Sequence, residues 1–112
     1  MKLRHALLAA LPIASACNSR IAAPTAPSNA TTIVARANFS FTPPWTAVPV
    51  GSTVTFQFEG VAHAPTFSAI IGAPASIPST ANGTVTRTFT SKGVFNYTCA
   101  IHSFMTGRIT VD

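Results

Sequence analysis

Strict alternation of apolar and polar residues is the sequence feature that most limits how this chain can fold. Between Thr53 and Glu59, the apolar residues Val54, Phe56 and Phe58 fall on one side and the polar residues on the other. This two-residue period is that of a β-strand with one buried face. The period recurs in further stretches separated by Pro, Gly and Asn, namely 32–41, 45–50, 84–90, 95–99 and 109–111. The pattern predicts an all-β fold, a Greek-key β-sandwich or barrel of about seven or eight strands.

Composition agrees with this fold class and excludes some partners. Hydrophobic residues make up 47% of the 112 residues and charged residues 8%, which is not the composition of a disordered chain. The net charge is +5, but the basic residues are spread singly along the chain. Because nucleic-acid binding calls for a basic stripe with interleaved aromatic residues, we expect no nucleic-acid partner. The protein is expected to be a monomer.

The beginning of the chain has the layout of an export signal. Residues 1–16 contain basic residues, then an apolar run, then small residues. The apolar run is shorter than the ~20 residues of a membrane-spanning helix. Residues 13–17, Ile-Ala-Ser-Ala-Cys, resemble the bacterial lipobox, whose cysteine is lipidated and becomes the mature N-terminus. Cys17 is therefore a predicted lipidation site, with simple cleavage after Ala16 or Ala23 as the alternative.

Two further segments follow the signal. Residues 17–31 are rich in Pro, Ala, Ser and Thr and are predicted to be a flexible linker. Residues 32–112 carry the alternating pattern and form the predicted folded domain. The expected location is extracytoplasmic, periplasmic or at the cell surface, with membrane attachment only through the lipid anchor.

The two cysteines, Cys17 and Cys99, are predicted to have separate roles. In an exported protein, an even number of cysteines ordinarily suggests a disulfide. Cys17, however, precedes the predicted linker and is explained by processing. This leaves Cys99 as the single thiol of the predicted domain.

Potential metal ligands are concentrated near the end of the chain. Cys99, His102 and Met105 lie within seven residues, on a predicted tight loop between two strands. His63 is in phase with Val61 and Phe67 and should point toward the core, where an imidazole must be hydrogen-bonded or ligated. Two histidines, a thiolate and a thioether suit copper, whereas structural zinc sites rarely use methionine. The alternatives are a hydrogen-bonded core histidine at position 63 and a core-filling methionine at position 105.

The segment from Gly93 to Val111 resembles the copper loop of the cupredoxins, in their plastocyanin and amicyanin branch. Its Cys-x-x-His-x-x-Met spacing is that of the short amicyanin-type loop. The segments Phe39-Ser-Phe-Thr-Pro43 and Gly51-Ser-Thr-Val-Thr-Phe56 are similar to the early strands of the family. The resemblance covers about residues 32 to 112.

This resemblance implies a site for one copper ion that cycles between Cu(II) and Cu(I). His63, Cys99 and His102 would be the equatorial ligands and Met105 the long axial ligand. Two positions depart from the family. Ala64 stands where an Asn often braces the loop, although its backbone N–H can still donate to the Cys99 sulfur, and Ile101 stands where Pro is common.

The resemblance implies a mononuclear type 1, or blue, copper protein that carries single electrons between redox proteins outside the cytoplasm. Copper carriage or delivery is one alternative. A β-sandwich that binds no metal is the other. We expect no enzymatic activity, because the predicted domain has too few histidines for a second copper centre. Residues Ile101, Phe104 and Pro65 are predicted to surround His102 as a docking surface for the redox partner, unless they merely cap the end of the fold.

Overall fold

A computed structural model describes residues 26–112 of the chain. They form eight strands, namely β1 (Thr32–Ala35), β2 (Phe41–Thr42), β3 (Trp45–Val48), β4 (Thr53–Phe58), β5 (Pro65–Phe67), β6 (Gly83–Thr88), β7 (Gly93–Cys99) and β8 (His102–Val111). The predicted export signal, the lipidation site Cys17 and most of the predicted linker lie outside the described residues. Within residues 26–112, no helix is long and apolar enough to span a membrane.

The strands form two four-stranded sheets, ordered β2-β1-β4-β6 and β3-β8-β7-β5. Each sheet contains one parallel pair, β1 with β4 in the first and β3 with β8 in the second. One core cluster contains buried side chains from both sheets, so the sheets pack face to face. The predicted all-β sandwich is confirmed.

Alternation along β4 and β7 supplies much of the core. The apolar side chains of β4 are at most 4% exposed, and those of Phe95, Tyr97 and Cys99 on β7 are at most 1% exposed. The Tyr97 ring packs against Phe41 and Phe56 at centroid distances of 4.8 and 5.5 Å. The end of β7 is therefore anchored in aromatic packing, and this end carries Cys99.

The prediction of one continuous strand over residues 32–41 is wrong. β1 ends at Ala35 and β2 starts at Phe41, with a turn of residues 36–40 between them. The turn is closed by two backbone hydrogen bonds, from Arg36 N–H to the Ser40 carbonyl (2.9 Å) and from Phe39 N–H to the Arg36 carbonyl (3.1 Å). Phe39 has a φ of 65° and its side chain is 40% exposed, so it leaves the core face that its place in the alternation suggested.

The last residues of the predicted linker contact the sandwich. The backbone N–H of Ser28 donates to the Trp45 carbonyl at 3.0 Å, and Ala47 N–H donates to the Ser28 carbonyl at 2.7 Å. The hydroxyl of Thr46, which is fully buried, donates to the Ser28 carbonyl at 3.0 Å. Within residues 26–112, hydrogen bonds to the sandwich thus already involve residue 28 of the predicted linker.

Candidate metal centre

Three of the four predicted ligands meet at one end of the sandwich. The ligand atoms of His63, Cys99 and His102 all lie within 4.8 Å of one another. His63 and Cys99 are fully buried, and His102 is half-buried. Residues that are 39 positions apart in sequence are thus brought to one point by the pairing of β5, β7 and β8.

Cys99 ends β7, directly opposite Pro65 of β5. The backbone N–H of Ala64 donates to the Cys99 sulfur at 3.3 Å, as the sequence predicted. The next backbone group, Ala100 N–H, donates to the Ala64 carbonyl at 2.9 Å. These two bonds fix the sulfur relative to the segment that carries His63, although position 64 has no polar side chain.

His63 lies between β4 and β5 and is held at both its backbone and its ring. Its N–H and its carbonyl each bond to Thr80 at 3.0 Å. Its ring Nε2 lies 2.8 Å from the Arg36 carbonyl, which can only accept, so Nε2 carries the proton. The lone pair of His63 is therefore on Nδ1, the atom that faces the other two ligands.

His102 starts β8 and pairs with Cys99 across the tight connection. The next pair in the ladder is Thr98 with Thr106, so residues 103–105 form an irregularity in β8. Met105 ends this irregularity and is 1% exposed, on the same buried face as Ile109. Its burial and its position three residues after His102 agree with an axial role, which stays a prediction.

The spacing of the donor atoms fits a transition-metal ion. Nδ1 of His63 lies 3.2 Å from Nδ1 of His102 and 3.9 Å from the Cys99 sulfur, and the sulfur lies 3.5 Å from Nδ1 of His102. Atoms with these separations are all about 2 Å from a common central point, close to the ~2.0–2.3 Å bonds of imidazole nitrogen and thiolate sulfur to zinc-sized metals. Two imidazoles and one thiolate, with the buried thioether of Met105 three residues after His102, favour copper among such metals.

The surface around His102 is apolar, and its composition differs in part from the predicted docking surface. Ile101 and Phe104 are 52% and 71% exposed, whereas Pro65 is buried and therefore does not contribute to the exposed surface. Phe39 takes part instead, with its ring centroid 4.7 Å from that of His102 and 6.0 Å from that of Phe104. We call the exposed residues Phe39, Ile101 and Phe104 the apolar patch.

Sequence reasoning missed two contacts of the metal centre. A backbone carbonyl such as that of Arg36 has no sequence signature, so its bond to His63 could not be predicted. The alternation over residues 32–41 places Phe39 in phase with the core residues Ile33 and Phe41, so it predicts a buried side chain at position 39. The short polar run around it, with Asn38 and Ser40, was the available signal of a turn.

Comparison with known proteins gives matches among solved structures. No protein-family model and no curated protein matches the sequence. A reduced amicyanin variant matches with a TM-score of 0.66 at 28% identity, covering 79% of this chain and 87% of amicyanin. A purple cupredoxin from Nitrosopumilus maritimus matches with a TM-score of 0.61 at 25% identity, over 72% of this chain and 98% of that protein.

A larger protein also matches. The copper-containing nitrite reductase of Thermus scotoductus SA-01 has a TM-score of 0.65 and 31% identity over 78% of this chain. The present chain spans 22% of that enzyme, so the likeness concerns one part of it. Together with the two sheets and the convergence of His63, Cys99 and His102, these matches identify the chain as a cupredoxin with the His-Cys-His group of a type 1 copper loop.

Proposed function

We propose that this protein binds one copper ion and carries single electrons between redox proteins outside the cytoplasm. The observation that carries the proposal is the convergence of two imidazole nitrogens and one thiolate sulfur at one end of the sandwich. Bound copper supplies a Cu(II)/Cu(I) couple, which passes one electron at a time. The amicyanin and purple cupredoxin matches, each covering most of the matched protein, support a small carrier.

The chain's contribution is to hold the donor atoms in place before and after transfer. His63 is fixed by Thr80 and by the Arg36 carbonyl, and the Cys99 sulfur accepts from Ala64 N–H. Because these bonds do not depend on the oxidation state, the ligands have little freedom to rearrange. A small rearrangement favours rapid gain and loss of an electron.

Met105 is proposed as the weak axial ligand, because it is buried and follows His102 in β8. The axial ligand of such sites tunes the reduction potential rather than holding the metal. Replacing Met105 with Leu, which is similar in volume, is expected to keep copper stoichiometry and blue colour but to shift the reduction potential. Voltammetry of both proteins checks this, and an unchanged potential would make Met105 ordinary core filling.

The apolar patch is proposed as the electron-transfer surface. His102 is the half-buried ligand and lies beneath Phe39 and Phe104, so it is the shortest route from the site to solvent. An exposed apolar patch over a redox ligand suits a redox protein that must approach closely and leave quickly.

Electron self-exchange between two copies of the protein tests the patch without a known partner. We expect Phe104→Lys to lower the self-exchange rate about tenfold, equivalent to about 1.4 kcal/mol of encounter free energy. The reason is that two charged patches repel each other and resist dehydration. The rate is measured by NMR line broadening in mixtures of oxidised and reduced protein. Lys92→Ala, in the exposed turn before β7, is the comparison variant, and equal effects of both changes would refute a role of the patch.

Copper carriage or delivery is the second candidate function. Ala64 and Ile101 replace the polar and proline residues that often brace this loop in the family, and a looser loop would release the metal more readily. The two functions differ in how the copper-loaded protein behaves. An intense blue absorption, reversible voltammetry and slow copper loss to a chelator support electron transfer. Rapid surrender of Cu(I) to an acceptor would instead support delivery.

We propose a carrier rather than an enzyme. The histidines of residues 26–112 are His63 and His102, and both belong to the one ligand group. The described residues therefore provide no set of imidazoles for a second copper centre. An assay for nitrite reduction by the copper-loaded chain checks this, and turnover with nitrite would contradict it.

The predicted export signal and the predicted lipidation site Cys17 support the proposal of a location outside the cytoplasm, on a lipid anchor. We expect Cys17→Ala to move the protein from the membrane fraction to the soluble extracytoplasmic fraction, because the acylated thiol is lost. Fractionation of cells with both forms measures the distribution. If both forms distribute equally, the protein is not anchored through Cys17.

A further inference from the structure

The turn of residues 36–40 contacts both histidine ligands. The Arg36 carbonyl accepts from Nε2 of His63 at 2.8 Å and also from Phe39 N–H at 3.1 Å. The Phe39 ring meets the His102 ring in a T-shaped arrangement at 4.7 Å and lies 6.1 Å from the His63 ring. One short segment between β1 and β2 thus contacts the two imidazoles.

Phe39 occupies a backbone conformation that bulky residues rarely adopt. Its φ of 65° lies in the left-handed region, where a bulky side chain is strained. Such a residue persists when its surroundings require it, and it is often found at functional sites. Phe39 is 40% exposed, so burial of its side chain in the core offsets little of this backbone strain. Among the rings that Phe39 meets, that of His102 is the nearest, at 4.7 Å.

Glu59, just after the end of β4, binds the turn through a hydrogen bond and an ion pair. Its carboxylate accepts from Ala37 N–H at 3.0 Å and lies 3.5 Å from the Arg36 guanidinium. The guanidinium also donates from Nε to the Thr42 hydroxyl at 3.0 Å. The ion pair is 43% and 37% exposed and is weakened by solvent. The bond from Ala37 N–H, at 3.0 Å, is the shorter of the two Glu59 contacts and is also charge-assisted.

We propose that the turn of residues 36–40 is a brace for both histidine ligands and that Glu59 and Phe39 are positioning residues of the metal site. Arg36 holds the tautomer and ring plane of His63 through its carbonyl. Phe39 restricts the His102 ring and screens it from water. The brace supplies from the β1–β2 side the support that Ala64 and Ile101 do not supply within the loop. This inference rests on the copper-binding part of the proposed function.

Glu59 and Asp112 provide a charge-matched pair of variants. They are the two acidic residues of the chain, and Asp112 lies past the end of β8, at the opposite end of the strand from His102. Removing an outer contact of a metal ligand typically lowers metal affinity about 10- to 100-fold. Glu59 acts one contact further out, through Ala37 N–H, so we expect Glu59→Ala to speed copper loss to a chelator by about tenfold, and Asp112→Ala to leave the rate unchanged.

The metal-free protein gives a readout that does not depend on copper. In Glu59→Ala, the Nε2 proton of His63 is expected to exchange with solvent faster, because the Arg36 carbonyl is no longer held over it. The amide proton of Phe56, in the core, is expected to keep its exchange rate, which excludes general unfolding as the cause. Both protons are followed by NMR in the wild type and in the two variants.

Variants of Phe39 show whether this residue stabilises the metal site, the fold or both. Phe39→Gly relieves the backbone strain, so its unfolding midpoint is expected to be unchanged or higher, while copper loss becomes about tenfold faster. Phe39→Tyr keeps the ring and is expected to retain the wild-type copper spectrum and release rate.

Two results would overturn the proposal that the turn of residues 36–40 braces the histidine ligands. One is equal copper release and equal His63 ring-proton exchange in Glu59→Ala and Asp112→Ala. The other is a Phe39→Gly protein with the spectrum and release rate of the wild type. If the wild-type protein binds no copper, the proposed function fails, and the exchange of the His63 ring proton in the metal-free protein still decides whether the turn holds His63.

Discussion

Cys99→Ala is expected to abolish the blue absorption and to lower the affinity for Cu(II) by more than about 100-fold, beyond the usual effect of losing an outer contact. Cys99 is the free thiol of residues 26–112, and its sulfur lies 3.5 Å from Nδ1 of His102. Without the thiolate, two imidazoles and a weak thioether remain, and this set has no charge to neutralise the cation. Visible absorption and copper titration of the metal-free protein measure the two effects.

The loss of copper binding in Cys99→Ala must be distinguished from a general loss of stability. Cys99 is fully buried, but the change to Ala removes one sulfur atom, so we expect a stability loss of only about 1 kcal/mol. Ser103→Ala, at an exposed position between His102 and Met105, should keep full copper binding and colour. If Cys99→Ala binds copper with unchanged stoichiometry and colour, the ligand group described above is not the copper site.

Much of the site could be predicted because its ligands follow from alternation and spacing. Cys99 is in phase with Phe95 and Tyr97, which are both core residues, so its inward direction followed from the strand pattern. His63 was placed inward by the same argument, and its burial confirms this. The spacing of the ligands near the C-terminus then allowed only a short loop, which brings His102 back to Cys99.

What could not be predicted depends on backbone geometry. An alternating pattern continues unchanged through a tight reversal, so alternation alone does not distinguish Phe39, which leaves the core, from Phe41, which stays in it. Pro65 is buried because it pairs with Cys99 in the sheet. The sequence of a single strand does not predict which residues it pairs with. The hydrogen bond from His63 to the Arg36 carbonyl was invisible for the same reason. These contacts require two distant segments to be placed next to each other.

Gly107→Ala is expected to lower the free energy of unfolding by about 3 kcal/mol, the upper part of the usual range for overpacking. A Cβ at position 107 would overlap the phenol of Tyr97, at its Cζ, Cε2 and hydroxyl oxygen. Tyr97 is 1% exposed, and its packing against Phe41 and Phe56 resists displacement of the ring. For a domain of this size, the loss corresponds to a Tm lower by about 12–24 °C. Thermal and denaturant unfolding of the metal-free protein measure it.

Two further variants show whether the contact with Tyr97 is the cause. Gly51→Ala adds a Cβ with nothing within 4 Å, but at a φ of 91°, so it should cost only about 1–2 kcal/mol from backbone strain. In a Tyr97→Leu background, the added cost of Gly107→Ala should fall below about 1 kcal/mol, because the overlapping atoms are gone. An equal cost in both backgrounds would refute the overlap.

Tyr97 also links this region to the metal site. Among the described residues, its buried hydroxyl has no hydrogen-bond partner, and burial raises the pKa of the phenol above its ordinary value, so the ring stays neutral. The ring is held by packing alone, and Cys99 follows two residues later on the same strand and face. A ring displaced by Gly107→Ala should therefore shift the end of β7 and broaden the copper spectrum as well as destabilise the fold. An unchanged copper spectrum in the folded Gly107→Ala variant would mean that the displacement of Tyr97 does not extend along β7 to Cys99.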